Sequence, residues 1–245
     1  MINLWGLIAT IVIFEICKKL KVVKVFSKKE YRDDFINGHI YLNEAGYFNK
    51  LEDDYRGDKY DSQIMEINDT ILINNVELHP DIITQGFVGD DKVPILCMTI
   101  LNEESLQKSN SNKFMLKQNI VDELSKFGEF GLLFTYGELK ANLDAFVYDK
   151  NWVMDQDVVT YVETKNSKDY LKLYHNDPFK KYFVKDIFYK NQNEARIIFL
   201  SNNKKKFEPL IADSSHHIEF NIKPLQFYYK FNIKQNLEIE IKKDD

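Results

Sequence analysis

Lysines and aromatic residues alternate through one stretch of this chain in the pattern that single-stranded nucleic acid requires. Between Lys165 and Phe207 stand ten lysines and one arginine against Asp169, Asp177, Asp186 and Glu194, a local balance of +7. Interleaved with them are Tyr170, Tyr174, Phe179, Tyr182, Phe183, Phe188, Tyr189 and Phe199. Lysine neutralises phosphate and releases its counterions, while an aromatic face stacks on any base without demanding a sequence. The candidate contacts are Lys180, Lys181, Lys185, Lys190 and the triplet Lys204, Lys205 and Lys206, with Tyr182 and Tyr189 as stacking platforms. The chain holds only three arginines (Arg32, Arg56 and Arg196), too few for bidentate reading of base edges, so the expected binding tolerates sequence. The alternative is that these aromatics face a core while the lysines meet solvent. Contact with anionic lipid headgroups is a third use of the same charge.

A second concentration of charge runs Glu52-Asp53-Asp54-Tyr55-Arg56-Gly57-Asp58-Lys59-Tyr60-Asp61, with five acids in ten positions. Closely spaced carboxylates suit magnesium or calcium, but the spacing is not that of an EF-hand, which needs ligands at alternate positions, a central Gly and a terminal Glu. A solvated acidic loop, with Arg56 held by Asp53 or Asp58, is the plainer reading. The five histidines are dispersed except for His216 and His217, which point to opposite faces of an extended segment and so cannot share one metal. Cys17 and Cys97 make neither a disulfide framework nor a zinc site. No nucleophilic triad, Walker sequence or Gly-rich phosphate loop is present, and no metal or cofactor is expected.

Gln192-Asn193-Glu194-Ala195-Arg196 leads into an apolar run. This Gln-x-Glu at the mouth of a strand resembles the catalytic signature of ADP-ribosyltransferases, and the strand–helix–Gly–strand pattern from Val25 to Leu42 resembles the opening unit of their fold. The resemblance implies an enzyme acting on NAD or a nucleic acid, with Glu194 orienting a nicotinamide ribose and Arg56 assisting. Phe26-Ser27 stand where that family has a His or Arg in its first strand, and no Ser-Thr-Ser run follows. The alternative is that Glu194 and Arg196 form an exposed pair on a strand.

The elements that must position these residues are mostly strands. Aromatics make up 14% of a chain with nine glycines and five prolines, which favours a β-containing core. Strands are expected at 21–26, 39–43, 93–101, 131–139, 144–150, 158–163, 194–200, 217–222 and 237–241. Residues 70–78 read as a hairpin turning at Asn74-Asn75. Ser27 and Glu30 have the spacing of a capping box for a short helix ended by Gly38. The spacing of Met115, Ile120, Val121 and Leu124 predicts a helix from Lys113 to Phe127. A further helix is expected from Lys168 to about Asn176, where Asp177 precedes proline. The fold class is α+β, a single strand-rich domain with few helices over residues 21–245.

Residues 1–20 differ from the rest. The run from Ile2 to Cys17 is interrupted only by Asn3 and Glu15, and six lysines without an acid follow between Lys18 and Lys29. A secretory signal carries its charge on the other side of the apolar run. Leu4, Trp5, Leu7, Ile8, Ile11, Val12, Ile13 and Phe14 read as a single-pass membrane anchor, slightly short, with Lys18 and Lys19 at one interface. The lysines then place the following domain in the cytoplasm, on the membrane's inner side. A buried strand or core helix is the alternative. With its lone hydrophobic lead, the following Lys18-Lys19-Leu20-Lys21 and a lysine- and asparagine-rich, arginine-poor composition, the chain resembles the AbiP type of lactococcal abortive-infection (phage-resistance) proteins. That resemblance implies a membrane-tethered, non-enzymatic phage-defence factor whose cytoplasmic domain binds single-stranded RNA or DNA. A tethered protein-interaction module is a further reading. The chain's net charge of -5 leaves -12 outside the basic stretch, more acidity than a dedicated nucleic-acid binder carries.

Overall fold

The computed structural model of the chain describes residues 22–51, 62, 64–67, 71–78, 82–85, 90–109, 113–163, 179–202, 210–211, 215–235 and 238–240. The first part contains β1 (Val22–Phe26), α1 (Lys29–Ile36), β2 (His39–Glu44), α2 (Ala45–Asn49) and β3 (Ile64–Ile67). Then come β4 (Ile71–Ile73), β5 (Val76–Leu78), β6 (Ile82–Gln85), β7 (Pro94–Ile100), β8 (Leu106–Lys108) and β9 (Lys113–Leu116). After α3 (Gln118–Ser125) follow β10 (Phe130–Phe134), α4 (Tyr136–Lys150), β11 (Trp152–Val158), β12 (Thr160–Val162) and β13 (Val184–Asp186). The last strands are β14 (Glu194–Ser201), β15 (His217–Asn221), β16 (Tyr228–Asn232) and β17 (Glu238–Glu240). The class is α+β, rich in strands and poor in helices.

An eight-stranded antiparallel sheet, with the path β11-β14-β7-β1-β10-β16, organises the domain. Both faces are covered, so its central strands alternate between two cores. Leu96, Met98, Ile197 and Phe199 join Val22, Leu132 and Phe134 on one face, beneath Phe35 of α1 and Leu139 and Leu143 of α4. Ile95, Ile198 and Leu200 face the opposite side, against Tyr182 and Phe183. This double burial explains the unbroken apolar run of β7, because a strand packed on both faces has no solvent side to carry polar residues.

Several expectations meet tertiary overrides. Residues 144–150 are not a strand but the second half of α4, whose buried Leu139, Leu143 and Val147 recur at the four-residue spacing of one helix face. The helix expected from Lys113 starts only at Gln118. Its first residues are β9, which pairs with β8 and β17. Lys28, not Ser27, caps α1, and it makes no side-chain capping hydrogen bond. The hairpin at Asn74-Asn75 forms as read, with φ of 51° and 66°, the left-handed pair that a type I′ turn requires. The helix expected from Lys168 to Asn176 lies outside the described residues.

One irregularity of the sheet matters most. Along one edge β7 pairs with β14 from Ile95 to Thr99. Its other edge is shared. β1 takes the end, through Val23 opposite Thr99 and Val22 opposite Ile100, and β2 takes the beginning, through Asn43 opposite Ile95 and Glu44 opposite Pro94. Leu96, Cys97 and Met98 pair with neither strand, so β1 and β2 diverge from β7 as the arms of a fork.

Candidate functional site

A cleft of about 720 Å³ occupies this fork. Its walls are Val23 to Phe26 of β1, His39, Tyr41 and Asn43 of β2, and Leu96 to Thr99 of β7, and Tyr31, Asp34, Tyr47 and Glu219 also line it. Where a third strand would continue the ladder, the carbonyl of Cys97 instead accepts a hydrogen bond from Lys24 Nζ at 3.0 Å. The same ammonium lies 5.6 Å from the ring centre of Phe26 and 6.0 Å from that of Phe35. Burial lowers the Lys24 pKa, partly offset by the nearby Glu194 carboxylate. Glu194, Arg196, Lys185 and Gln192 line the cleft as well, and all four are buried.

Glu194 is fixed on both oxygens. Arg196 Nε donates to Oε1 at 2.7 Å and Lys185 Nζ to Oε2 at 3.0 Å, while Lys185 also donates to Gln192 Oε1 at 2.9 Å. Arg196 Nη1 donates to the carbonyl of Tyr182 at 2.7 Å, and the Glu194 amide donates to the Tyr161 hydroxyl at 2.8 Å. Burial alone would raise the Glu194 pKa, but Arg196 and Lys185 outweigh it and hold the carboxyl well below the usual range. Burial, with the Glu194 charge behind it, pushes the neighbouring Cys97 thiol and Tyr161 phenol up, so both stay protonated. The sequence allowed Glu194 and Arg196 as an exposed pair. They are interior instead, because β14 is central and the segment from Lys180 to Gln192 covers that face.

Glu219 Oε2 meets His39 Nε2 at 3.2 Å and Oε1 meets His217 Nε2 at 3.3 Å, while the Tyr41 ring stacks on His217 with centres 4.6 Å apart and planes 17° from parallel. Tyr31, Tyr41 and Tyr47 are all exposed. The rim is therefore aromatic and hydrogen-bonding, and the depth is charged.

The basic segment divides. Lys181, Tyr182 and Lys185, read from the sequence as surface contacts for phosphate and base, are buried at 1%, 0% and 5% exposure. Their aliphatic stems and ring fill the covering layer over β14, and the Lys185 ammonium neutralises Glu194. Lys180 pairs with Asp157, and Tyr189 lies beneath the Lys185 ammonium at 4.9 Å. Lys190 is exposed beside exposed Phe188. Arg56 with its acidic run, Lys204 to Lys206, and the expected anchor residues Leu4, Trp5, Leu7, Ile8, Ile11, Val12, Ile13 and Phe14 lie outside the described residues. His216 and His217 have separate partners, as their adjacency implies: His216 Nδ1 lies 2.9 Å from Glu44 Oε1.

Lys24, Tyr41, His39 and Glu219 were not singled out by sequence reading. The one available signal was Lys24 itself, a lone cation inside the otherwise apolar strand VVKVF. Among the described residues no group of three His, Cys, Asp or Glu side chains is placed to hold a metal ion, and no helix is long and apolar enough to cross a membrane. No protein-family model matches the chain, and neither a curated protein nor a solved structure does.

Proposed function

We propose that the protein is a membrane-anchored binder of single-stranded nucleic acid with little sequence preference, and that the forked cleft holds an unstacked base. The observation that carries this reading is the cleft's pairing of Tyr31, Tyr41 and Tyr47 at the rim with the Lys24 ammonium at depth. A base stacked on a tyrosine gains about 1–3 kcal/mol whatever its identity, and a cation nearby neutralises the backbone. Exposed Lys190 and the Lys204 to Lys206 triplet add the salt-dependent part of the affinity. Residues 1–20 serve as the single-pass anchor, with the α+β domain on the cytoplasmic side. The resemblance to abortive-infection proteins gives this binding a role in arresting phage replication.

The test is titration of single-stranded RNA and DNA into the full-length chain in detergent, at several salt concentrations. Binding should weaken in Tyr41→Ala. Replacing Lys204 to Lys206 with Glu should lower the salt slope by about 0.7 for each phosphate that is no longer neutralised. Absence of binding at low salt, or binding indifferent to both changes, overturns the reading. A transferase acting on NAD would use the same cleft, since Glu194 lines it. That second reading requires NAD consumption that Glu194→Gln abolishes.

A further inference from the structure

We propose that the forked cleft is a phosphomonoester site, in which Lys24 receives the terminal phosphate of a nucleotide whose base lies against the tyrosines of the rim. The inference deepens the nucleic-acid reading and rests on it for the polymeric ligand. Three observations converge on it. The first is the state of Lys24. Its ammonium has three donors, and one is used on the Cys97 carbonyl. Among the described residues no carboxylate lies within ion-pair distance of it, although Phe26 and Phe35 offer their ring faces. A cation drawn out of bulk water without a carboxylate partner, and lining a cavity, is placed to take an anion from solution.

The second observation is the shape of the space. The cleft's wall includes Leu96, Cys97 and Met98, where β1 and β2 part from β7. Its volume of about 720 Å³ lies in the range of sites for single small molecules, the size class of one nucleotide. A polymer tracking a surface would need a longer, open groove.

The third is the chemistry of the rim. Tyr41 is stacked on His217, and Asn43 stands beside it with an amide that hydrogen-bonds a sugar or base edge. Glu194 does not compete for Lys24, because Arg196 and Lys185 already engage both its oxygens. A phosphomonoester carries close to two negative charges at neutral pH, against one for an internal phosphodiester. The dianion therefore gains more from Lys24, and the site discriminates a phosphorylated end from the body of a strand.

The occupant is either a free mononucleotide or the phosphorylated end of a strand, and the test separates them. Short single-stranded oligonucleotides carrying a 3′ fluorophore and either a 5′-phosphate or a 5′-hydroxyl are titrated into the full-length protein in detergent. Adenosine 5′-monophosphate and adenosine are run in parallel by calorimetry. The expected result is roughly tenfold or greater preference for the phosphorylated partner in at least one pair, the size of a charged hydrogen bond. That preference is lost in Lys24→Met and retained in Lys24→Arg, which also controls for folding. Tyr41→Ala should weaken both members of the pair equally and leave the preference intact. Equal affinity of the phosphorylated and hydroxyl ligands, or a preference that survives Lys24→Met, overturns the site. If the mononucleotide binds in a Lys24-dependent way and no oligonucleotide binds, the phosphomonoester site stands and the strand-binding reading falls. If oligonucleotides bind without regard to the end group, the strand-binding reading stands and the phosphomonoester site falls.

Discussion

At the scale of single residues, the interior charges carry the largest stakes. Arg196 ties Glu194 to the Tyr182 carbonyl, and both charged side chains are buried. Removing the guanidinium leaves Lys185 as the only cation engaging this buried carboxylate among the described residues, so Arg196→Met should cost about 3–5 kcal/mol, read as a lowered urea midpoint. Glu44 sets the pH behaviour. Burial raises its pKa, yet hydrogen bonds and charge from Lys92 and His216 prevail and hold the folded value below the ordinary one. A carboxyl with a depressed folded pKa stabilises above its unfolded value of about 4.3, and that contribution disappears as the pH falls through the folded value. Glu44→Gln should therefore be less stable than the native chain at pH 7, with a deficit that shrinks as denaturation is repeated down to about pH 3. A constant deficit across that range would show that the Glu44 charge is not what stabilises this corner.

At the scale of elements, close contact replaces hydrophobic content as the deciding feature. Gly131 on β10 stands directly opposite Phe231 on β16, and a Cβ added at Gly131 would lie 2.4–2.6 Å from three Phe231 ring carbons. The ring thus covers the backbone of its cross-strand partner. Gly131→Ala should destabilise by about 1–3 kcal/mol through overpacking, and Phe231→Leu in the same chain should recover part of that loss. Additive effects of the two changes would argue against this coupling. The elements were legible to different degrees. β1, β2, β7, β14 and β15 were readable because alternation or a continuous apolar run is a local property. The hairpin at Asn74-Asn75 was readable because left-handed backbone selects those residues. The second half of α4 was not, since Ala145, Phe146, Val147 and Tyr148 read as a strand until Leu139 and Leu143 are placed on the same helix face. Nor was β9, whose residues become a strand only through pairing with β8 and β17.

At the scale of the whole molecule, the cleft exists because two strands near the start of the chain compete for one edge of β7. A ligand that occupies it binds only the native fold, so adenosine 5′-monophosphate at about 100 times its dissociation constant should stabilise by about 2.7 kcal/mol. The rise in melting temperature should vanish in Lys24→Met. The proposed anchoring role of residues 1–20 belongs to this scale too: full-length protein is expected in the membrane fraction of lysed cells, and recovery in the soluble fraction would overturn that role.

The sequence by itself determined the class of fold, the positions of most strands, and the two extremes of the chain's chemistry, an apolar lysine-bordered lead and a basic aromatic segment. These are properties of composition and short-range spacing, which hold whatever the chain does elsewhere. Only the tertiary structure decided which lysines are available. Lys181 and Lys185 turn inward because a central β14 needs a cover and Glu194 needs countercharge. Lys24, unremarked in a short strand, is set at a cleft because β1 leaves β7 after two paired residues. Burial and strand order arise from contacts between residues far apart in sequence, and no local pattern of residue types encodes them.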